Sequence, residues 1–204
     1  MEFRVVKCMR DVGCSEFFVK SGVWAFVNDA HTVGGYGEEA KLDDGVYDVE
    51  TMYLLMRRFG IKEFVGVGVE SFYGNNEVRV KKKAVMSDGS FSKWNFDELM
   101  RLLCGLQEKV CNEGEKFEVD KGFVRVSKRF RDSGDIIVYC GGIEDEHVKY
   151  GVSVGEKVKV DGKLFANVIR VYEVGGCSVW IKKDSPVIFS DGIVVMEIAP
   201  KVEV

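Results

Sequence analysis

The spacing of hydrophobic positions changes along the chain. Over most of its length, short runs of Val, Ile, Phe and Tyr are broken by Gly and other turn residues, which predicts strands joined by tight turns. Three stretches switch to steps of three and four, and each predicts an amphipathic helix. The first starts at Asp48 as N-cap, places Val49, Met52, Tyr53, Met56 and Phe59 on one face, and stops at Gly60. The second starts near Asn95, with Glu98 as a capping-box partner, and runs through Phe96, Leu99, Leu103, Leu106 and Val110. The third starts near Asp161, aligns Leu164, Phe165, Val168, Ile169 and Tyr172, and ends before Gly175-Gly176. The opening MEFRVVK alternates like a strand, yet Val5, Val6, Met9 and Val12 also share one helical face, so both readings stay open.

The three helices are succeeded by similar segments. EFVGVGVE and EVRVKKKAV flank a Gly-Asn-Asn turn after the first; KFEVD, FVRVSKRF and DIIVYCGG come after the second; CSVWIKK, PVIFS and IVVMEIAP come after the third. EFFVKSG and VWAFVND make a hairpin around Ser21-Gly22. The recurring unit is a helix and then an antiparallel meander, an internal repeat with up to four copies. The polar stretch MSDGSFSK, residues 86–93, reads either as a connector between two pairs of units or as a plain hairpin loop. The expectation is an α+β chain with domains 1–86 and 87–204.

Composition narrows the function classes. With 204 residues, 46% hydrophobic and 30% charged, the chain can bury a substantial core. It has no apolar run of the ~20 residues a membrane span needs, and MEFRVVKCMR lacks the apolar block of a signal peptide, so a soluble intracellular protein is expected. The cysteines at 8, 14, 104, 111, 140 and 177 include no C-x-x-C pair, and His31 and His147 are far apart in sequence. That pattern argues against a zinc site. It favours reduced cysteines acting as small core hydrophobes. A catalytic Cys/His pair could arise only through the fold. No metal, cofactor or catalytic residue is predicted.

A formal net charge of -4 excludes coating nucleic acid by bulk positive charge, so any contact with DNA must come from local placement of cations. In the third helix Lys163, Asn167 and Arg170 fall at i, i+4 and i+7, opposite the apolar face. Arg57 and Arg58 end the first helix, and Arg101 and Lys109 lie on the polar side of the second. If the opening segment is helical, Arg4, Lys7 and Arg10 form a similar side. Surface helices commonly carry such residues, and Arg57 and Arg58 also suit a helix C-terminus. The joint pattern says more, because Asp43, Asp44, Glu113, Glu115, Asp120, Glu144, Asp145 and Glu146 fall mostly in turns and connecting segments. Basic helices with acidic loops give a polarised field.

Three stretches resemble the DNA sliding clamps, both the proliferating cell nuclear antigens and the trimeric clamps of tailed phages. SPVIFSDGIVVMEIAPKVEV looks like that family's closing pair of strands, with Pro186 at a strand start and Ala199-Pro200-Lys201 as the terminal signature. KSGVWAFVNDAHTV resembles its first-domain hairpin, and VKYGVSVGEKVKVDGKLFANVIRV its last strand-to-helix entry. The resemblance extends through nearly the whole order of elements with sparse identities. This chain is shorter than typical members, and its interdomain connector, where partners usually dock, is cut to a few residues.

The resemblance implies two similar clamp domains in a head-to-tail ring, a homotrimer from the family's six-domain arrangement, with antiparallel sheets outside and basic helices inside around duplex DNA. It implies a non-enzymatic polymerase processivity factor, of viral or plasmid type, at the nucleoid or a viral replication site, with a DNA polymerase and a clamp loader as partners. DNA would be met nonspecifically by Arg4, Lys7, Arg10, Arg57, Arg58, Arg101, Lys109, Lys163, Asn167 and Arg170. A partner's terminal peptide would dock at His31, Val33, Val85, Met86, Pro186, Ala199 and Pro200, although His31 and the prolines also read as ordinary hairpin and strand-edge residues. The competing readings are a monomeric processivity factor or β-rich adaptor, and an enzyme of unknown reaction.

Overall fold

The computed structural model describes residues 1–38, 40–67, 71–74, 79–81, 83, 85–87 and 94–201. Residues 88–93 of the polar connector, most of the Gly-Asn-Asn turn and the last three residues of the C-terminal stretch lie outside that range. The opening segment is helical: α1 (Phe3–Asp11) buries Val5, Val6, Cys8 and Met9. Next come β1 (Glu16–Lys20), β2 (Val23–Val27), β3 (Val33–Gly37), β4 (Gly45–Asp48), α2 (Val49–Arg58), β5 (Phe64–Val67), β6 (Ser71–Gly74) and β7 (Arg79–Lys81). After α3 (Phe96–Glu113) come β8 (Glu115–Val119), α4 (Lys121–Ser127) with a 3-10 extension over Lys128–Asp132, β9 (Asp135–Tyr139), β10 (Gly142–Glu144), β11 (Lys149–Tyr150) and β12 (Lys157–Asp161). The chain ends in α5 (Gly162–Val168) with a 3-10 extension over Ile169–Tyr172, β13 (Cys177–Ile181), β14 (Val187–Ser190) and β15 (Val194–Ile198).

Four helices start on the same device, a side-chain oxygen accepting an otherwise unpartnered amide. Asp48 accepts from Thr51 N–H at 2.7 Å, Asn95 from Glu98 N–H at 3.0 Å, and Asp161 from Leu164 N–H at 3.0 Å, at the three expected starts. The fourth cap, Asp120 accepting from Phe123 N–H at 2.8 Å, opens a helix where FVRVSKRF reads as a strand. Phe123, Val124, Ser127 and Phe130 are buried there, a helical spacing that four alternating residues mask. Phe59, expected on the buried face of α2, is its C-cap and is 44% exposed.

With α4 in place the chain reads as two copies of one order. The first is α1, β1–β2–β3, β4, α2, β5–β6–β7; the second is α4, β9–β10–β11, β12, α5, β13–β14–β15. Each copy is led by an extended segment, which is β8 in the second and the Glu2 bridge to Glu63 in the first. The element left over is α3. It stands between the copies and heads no meander, contrary to the unit predicted from sequence.

The two copies share a sheet. The third strand of the first copy pairs antiparallel with the last strand of the second, Val33 with Ile198 through Gly37 with Val194. That ladder fuses the strands into one eight-stranded sheet, β4-β1-β2-β3-β15-β14-β13-β8. The remaining strands form a four-stranded sheet, β11-β10-β9-β12, and a three-stranded sheet, β5-β6-β7.

Alternation along the shared sheet divides the core. Phe17, Val19, Trp24, Phe26, Val179, Phe189, Met196 and Ile198 point into the main cluster with α1, α2, α4, α5 and the smaller sheets. Ala25 and the neighbouring Phe18 and Val27 point the other way and meet Leu99 and Leu103, while Ile188, Val195 and Trp180 meet Val110. So α3 lies across the opposite face of the shared sheet, its N-terminal half on the first copy's strands and its C-terminal half on the second's. Truncating Leu103, 1% exposed, to Ala should lower unfolding free energy by about 2–4 kcal/mol. The neighbouring Leu102→Ala, at a side chain 39% exposed, should stay within about 0.5 kcal/mol, both read by urea denaturation.

Candidate nucleic-acid interface

The four helices of the two copies stand side by side. Helix α1 packs on α2 at one flank and on α5 and its 3-10 extension at the other, and these in turn contact α4 and its own extension. The row therefore crosses from one copy to the other without a break, over the same seam that joins β3 to β15. The hydroxyl of Tyr172 helps fix it by donating to the carbonyls of Phe189 at 3.1 Å and Val194 at 3.2 Å.

Cations gather on this row. Arg4, Lys7 and Arg10 lie on α1, Arg57 and Arg58 are exposed at the end of α2, and Lys163 and Arg170 lie on α5 and its extension. The helix missed in the sequence adds Lys121, Arg125 and Arg129, exposed at steps of four, together with Lys128 and Arg131. The signal for it was present in Asp120 with a run of basic residues after it.

Some of these charges are already partnered. Arg4 pairs with Glu2 and donates to the Val171 carbonyl at 2.7 Å, which ties the first helix to the second copy. Lys7 pairs with Asp11, Lys128 with Glu173, and Arg10 Nε with Glu50 at 2.7 Å, the Arg10 guanidinium lying 4.3 Å from the centre of the Tyr53 ring. Among the described residues Arg57, Arg58, Lys121, Arg125, Arg129, Arg131, Lys163 and Arg170 carry no ion pair. A groove of about 350 Å³ runs between α1 and the second copy, lined by Arg4, Lys7, Lys128 and Arg170 and by Asp11 and Glu173, the acids paired with Lys7 and Lys128. The cations of the row that carry no ion pair suit phosphates, which reward charge without demanding base readout.

Two of the sequence-predicted DNA residues stand apart from this row, and a third lines the groove but is nearly buried. Arg101 and Lys109 are exposed on α3, on the far side of the shared sheet. Asn167 is only 3% exposed, because α1 packs over it and its Nδ2 donates to the Asp11 carbonyl at 3.2 Å.

The residues expected around a partner's peptide split into two groups. Val33 pairs with Ile198, which pairs with Val187, so His31, Val33, Pro186, Ala199 and Pro200 gather at one end of β3, β15 and β14. The Ala199 N–H donates to the Thr32 carbonyl at 2.8 Å. Met86 instead bridges to Tyr47 on β4, at the outer edge of the shared sheet with three strands between it and β15. Val33 and Val85 are 1% and 0% exposed and present no surface to a partner. His31 has a φ of 55° and stays exposed, its Nδ1 accepting from Trp94 Nε1 at 3.3 Å in the residues that lead into α3.

The three buried thiols are poor nucleophiles. Cys8, Cys14 and Cys177 are buried, and burial pushes Cys8 up to about 12 and the other two well above the ordinary thiol range. Cys104 is exposed on α3, with Cys111 and Cys140 partly buried. His147 pairs with Glu146 at 3.0 Å. Among the described residues no three His, Cys, Asp or Glu side chains are grouped to hold a metal ion, and no helix is long and apolar enough to cross a membrane.

No protein-family model matches the sequence, and no curated protein does. Solved structures do match. The DNA polymerase III beta subunit of Thermotoga maritima superposes with a TM-score of 0.59 at 10% identity, covering 98% of this chain and 62% of that subunit. A putative DNA polymerase III beta subunit from Eubacterium rectale gives 0.58 at 12% identity, covering 98% and 64%. The beta subunit of Borrelia burgdorferi, solved with a natural product, gives 0.58 at 9% identity, covering 99% and 63%. The chain thus spans less than two thirds of the length of each of these subunits. A doubled strand-and-helix order, a sheet shared across its seam and a basic row of helices beneath it are accounted for together: the chain has the DNA sliding clamp fold.

Proposed function

We propose that the protein is a sliding clamp, a processivity factor that encircles duplex DNA and tethers a polymerase without catalysing a reaction itself. The observation that carries this reading is the continuous basic helix row in a chain whose net charge is negative. Phosphates would be drawn to one surface only, and a closed ring would let weak contacts slide. The clamp domains are read as 1–86 and 87–204, with α3 as the element between the two copies of the repeat.

The copies' own geometry supports a ring. Inside the chain the third strand of one copy pairs with the last strand of the other, β3 with β15. Their counterparts, β11 and β7, lie at the ends of the two smaller sheets with an edge unpaired among the described residues. Pairing β7 of one subunit with β11 of the next would repeat the internal seam and cover both edges. Three chains joined this way bring six copies of the repeat into the ring. A DNA polymerase and a clamp loader are the proposed partners, and a partner's peptide would approach the exposed His31 and the partly buried Pro186, Ala199 and Pro200.

Light scattering of the purified protein should give three times the chain mass at micromolar concentration. A monodisperse monomer at low and moderate salt would favour the monomeric factor instead. Replacing Lys163 and Arg170 together by Glu should weaken retention on DNA and processive synthesis while leaving mass and unfolding midpoint unchanged, since neither carries an ion pair and Lys163 is exposed. Adding Arg125→Glu and Arg129→Glu should deepen the loss and lower the salt slope of DNA binding, whereas Arg101→Glu with Lys109→Glu should leave both near the parent.

A further inference from the structure

Helix α3 rests on a carboxyl group. Glu197 sits on β15 opposite Gly34 of β3 and Ile188 of β14, on the face turned toward α3. A Cβ on Gly34 would stand 2.7 Å from Leu103 Cδ2 and 3.1 Å from Glu197 Oε1, so the leucine and the carboxyl both close over the bare glycine. Glu197 is partly buried and has no hydrogen bond or ion pair among the described residues.

We propose that α3 is a pH-sensitive cover over the outer face of the seam, seated while the Glu197 carboxyl beneath it is protonated and freed as that carboxyl ionises. Among the described residues no cation pairs with this carboxyl. From β3 comes Tyr36, whose hydroxyl donates to Gln107 Oε1 on α3 and is kept neutral by burial. From α3 come Leu103, Gln107 and the thiols of Cys104 and Cys111, the latter raised by burial. From β14 and β2 come the apolar Ile188, Ala25 and Val27. The cation beside this cluster, Lys116, lies 5.3 Å from the Trp180 ring centre and pairs with Glu118 at 2.9 Å. Burial accordingly pushes Glu197 up to about 8.

Proton linkage sets the direction. Seated, the site holds a proton up to about pH 8; with α3 lifted, water reaches the carboxyl and it ionises in the ordinary range near 4.5. Seating therefore binds a proton, and its equilibrium weakens as pH rises through that window, by up to about tenfold per pH unit. The helix ends carry the ion pairs Lys20–Asp97 at 2.8 Å and Lys182–Glu113, and Phe96 and Met100 add partly buried apolar contacts at the N-terminal end. Lifting α3 would bare Ala25, Tyr36, Ile188 and Val195, an apolar strip crossing the β3–β15 ladder.

Amide hydrogen exchange tests this on the whole chain. Protection factors for residues 99–110, corrected for intrinsic rates, should fall at least tenfold from pH 6 to pH 8 while amides of β2 and β14 hold theirs. In Glu197→Gln and Glu197→Leu, which cannot ionise, α3 should keep its pH 6 protection at pH 8. A parent α3 whose protection does not change with pH, or a folded variant that loses protection as the parent does, overturns the proposal. Loss of protection in α3 and the sheet strands together also overturns it, because the helix would not then be a separable cover.

Discussion

Everything else in the molecule is arranged around the antiparallel ladder between β3 and β15. Five residue pairs, Val33–Ile198 through Val194–Gly37, turn two strand sets distant in sequence into one sheet. Backbone pairing alone would not fix their separation from the layers above and below, and composition supplies that constraint. β3 reads Val-Gly-Gly-Tyr-Gly, a poor strand sequence by propensity. Its missing side chains are filled from both sides. A Cβ on Gly35 would meet Met196 Sδ at 2.5 Å on the inner face, and one on Gly34 would meet Leu103 on the outer. The glycines thus trade local strand stability for close approach at the place where the two copies meet.

The same ladder determines where charge can collect. Because it holds the two copies at a fixed angle, α1 comes to rest against α5, and cations from both halves form one surface. Arg4 spans that join by reaching the Val171 carbonyl. Acids interleave with the basic row at Glu2, Asp11, Glu50 and Glu173, which steadies some cations and leaves others free. An acidic molecule can therefore present a basic face, with the rest of its surface biased against polyanions.

Much of this was legible in the residues. Asp48, Asn95 and Asp161 marked three helix starts because a cap is a local device, set by one side chain and an amide three residues on. Asp120 is the same device, yet Phe-Val-Arg-Val imitates strand alternation and hid α4 with its cations. The placement of α3 was not available locally. Its apolar stripe shows that one face is buried, but both faces of the shared sheet offer apolar positions, so nothing within residues 96–113 chooses between them. For that reason the sequence grouped Arg101 and Lys109 with the cations of the other helices, whereas they lie across the shared sheet from them. The burial of Asn167 was out of local reach too, since it depends on α1, more than 150 residues earlier in the chain.

The bridging position of α3 bears on how seams of one design differ in strength. Within a chain, the strands that meet at β3 and β15 are covalently linked, so they face one another at an effective concentration set by the tether and indifferent to dilution. They are also overlaid by a helix that touches both sides. A seam between β7 and β11 of separate chains would have the same backbone pattern without either advantage. In a ring built from such chains, dilution or pulling force would be felt at the junctions between subunits first, so the molecule would open by parting from its neighbour with its own two halves still joined.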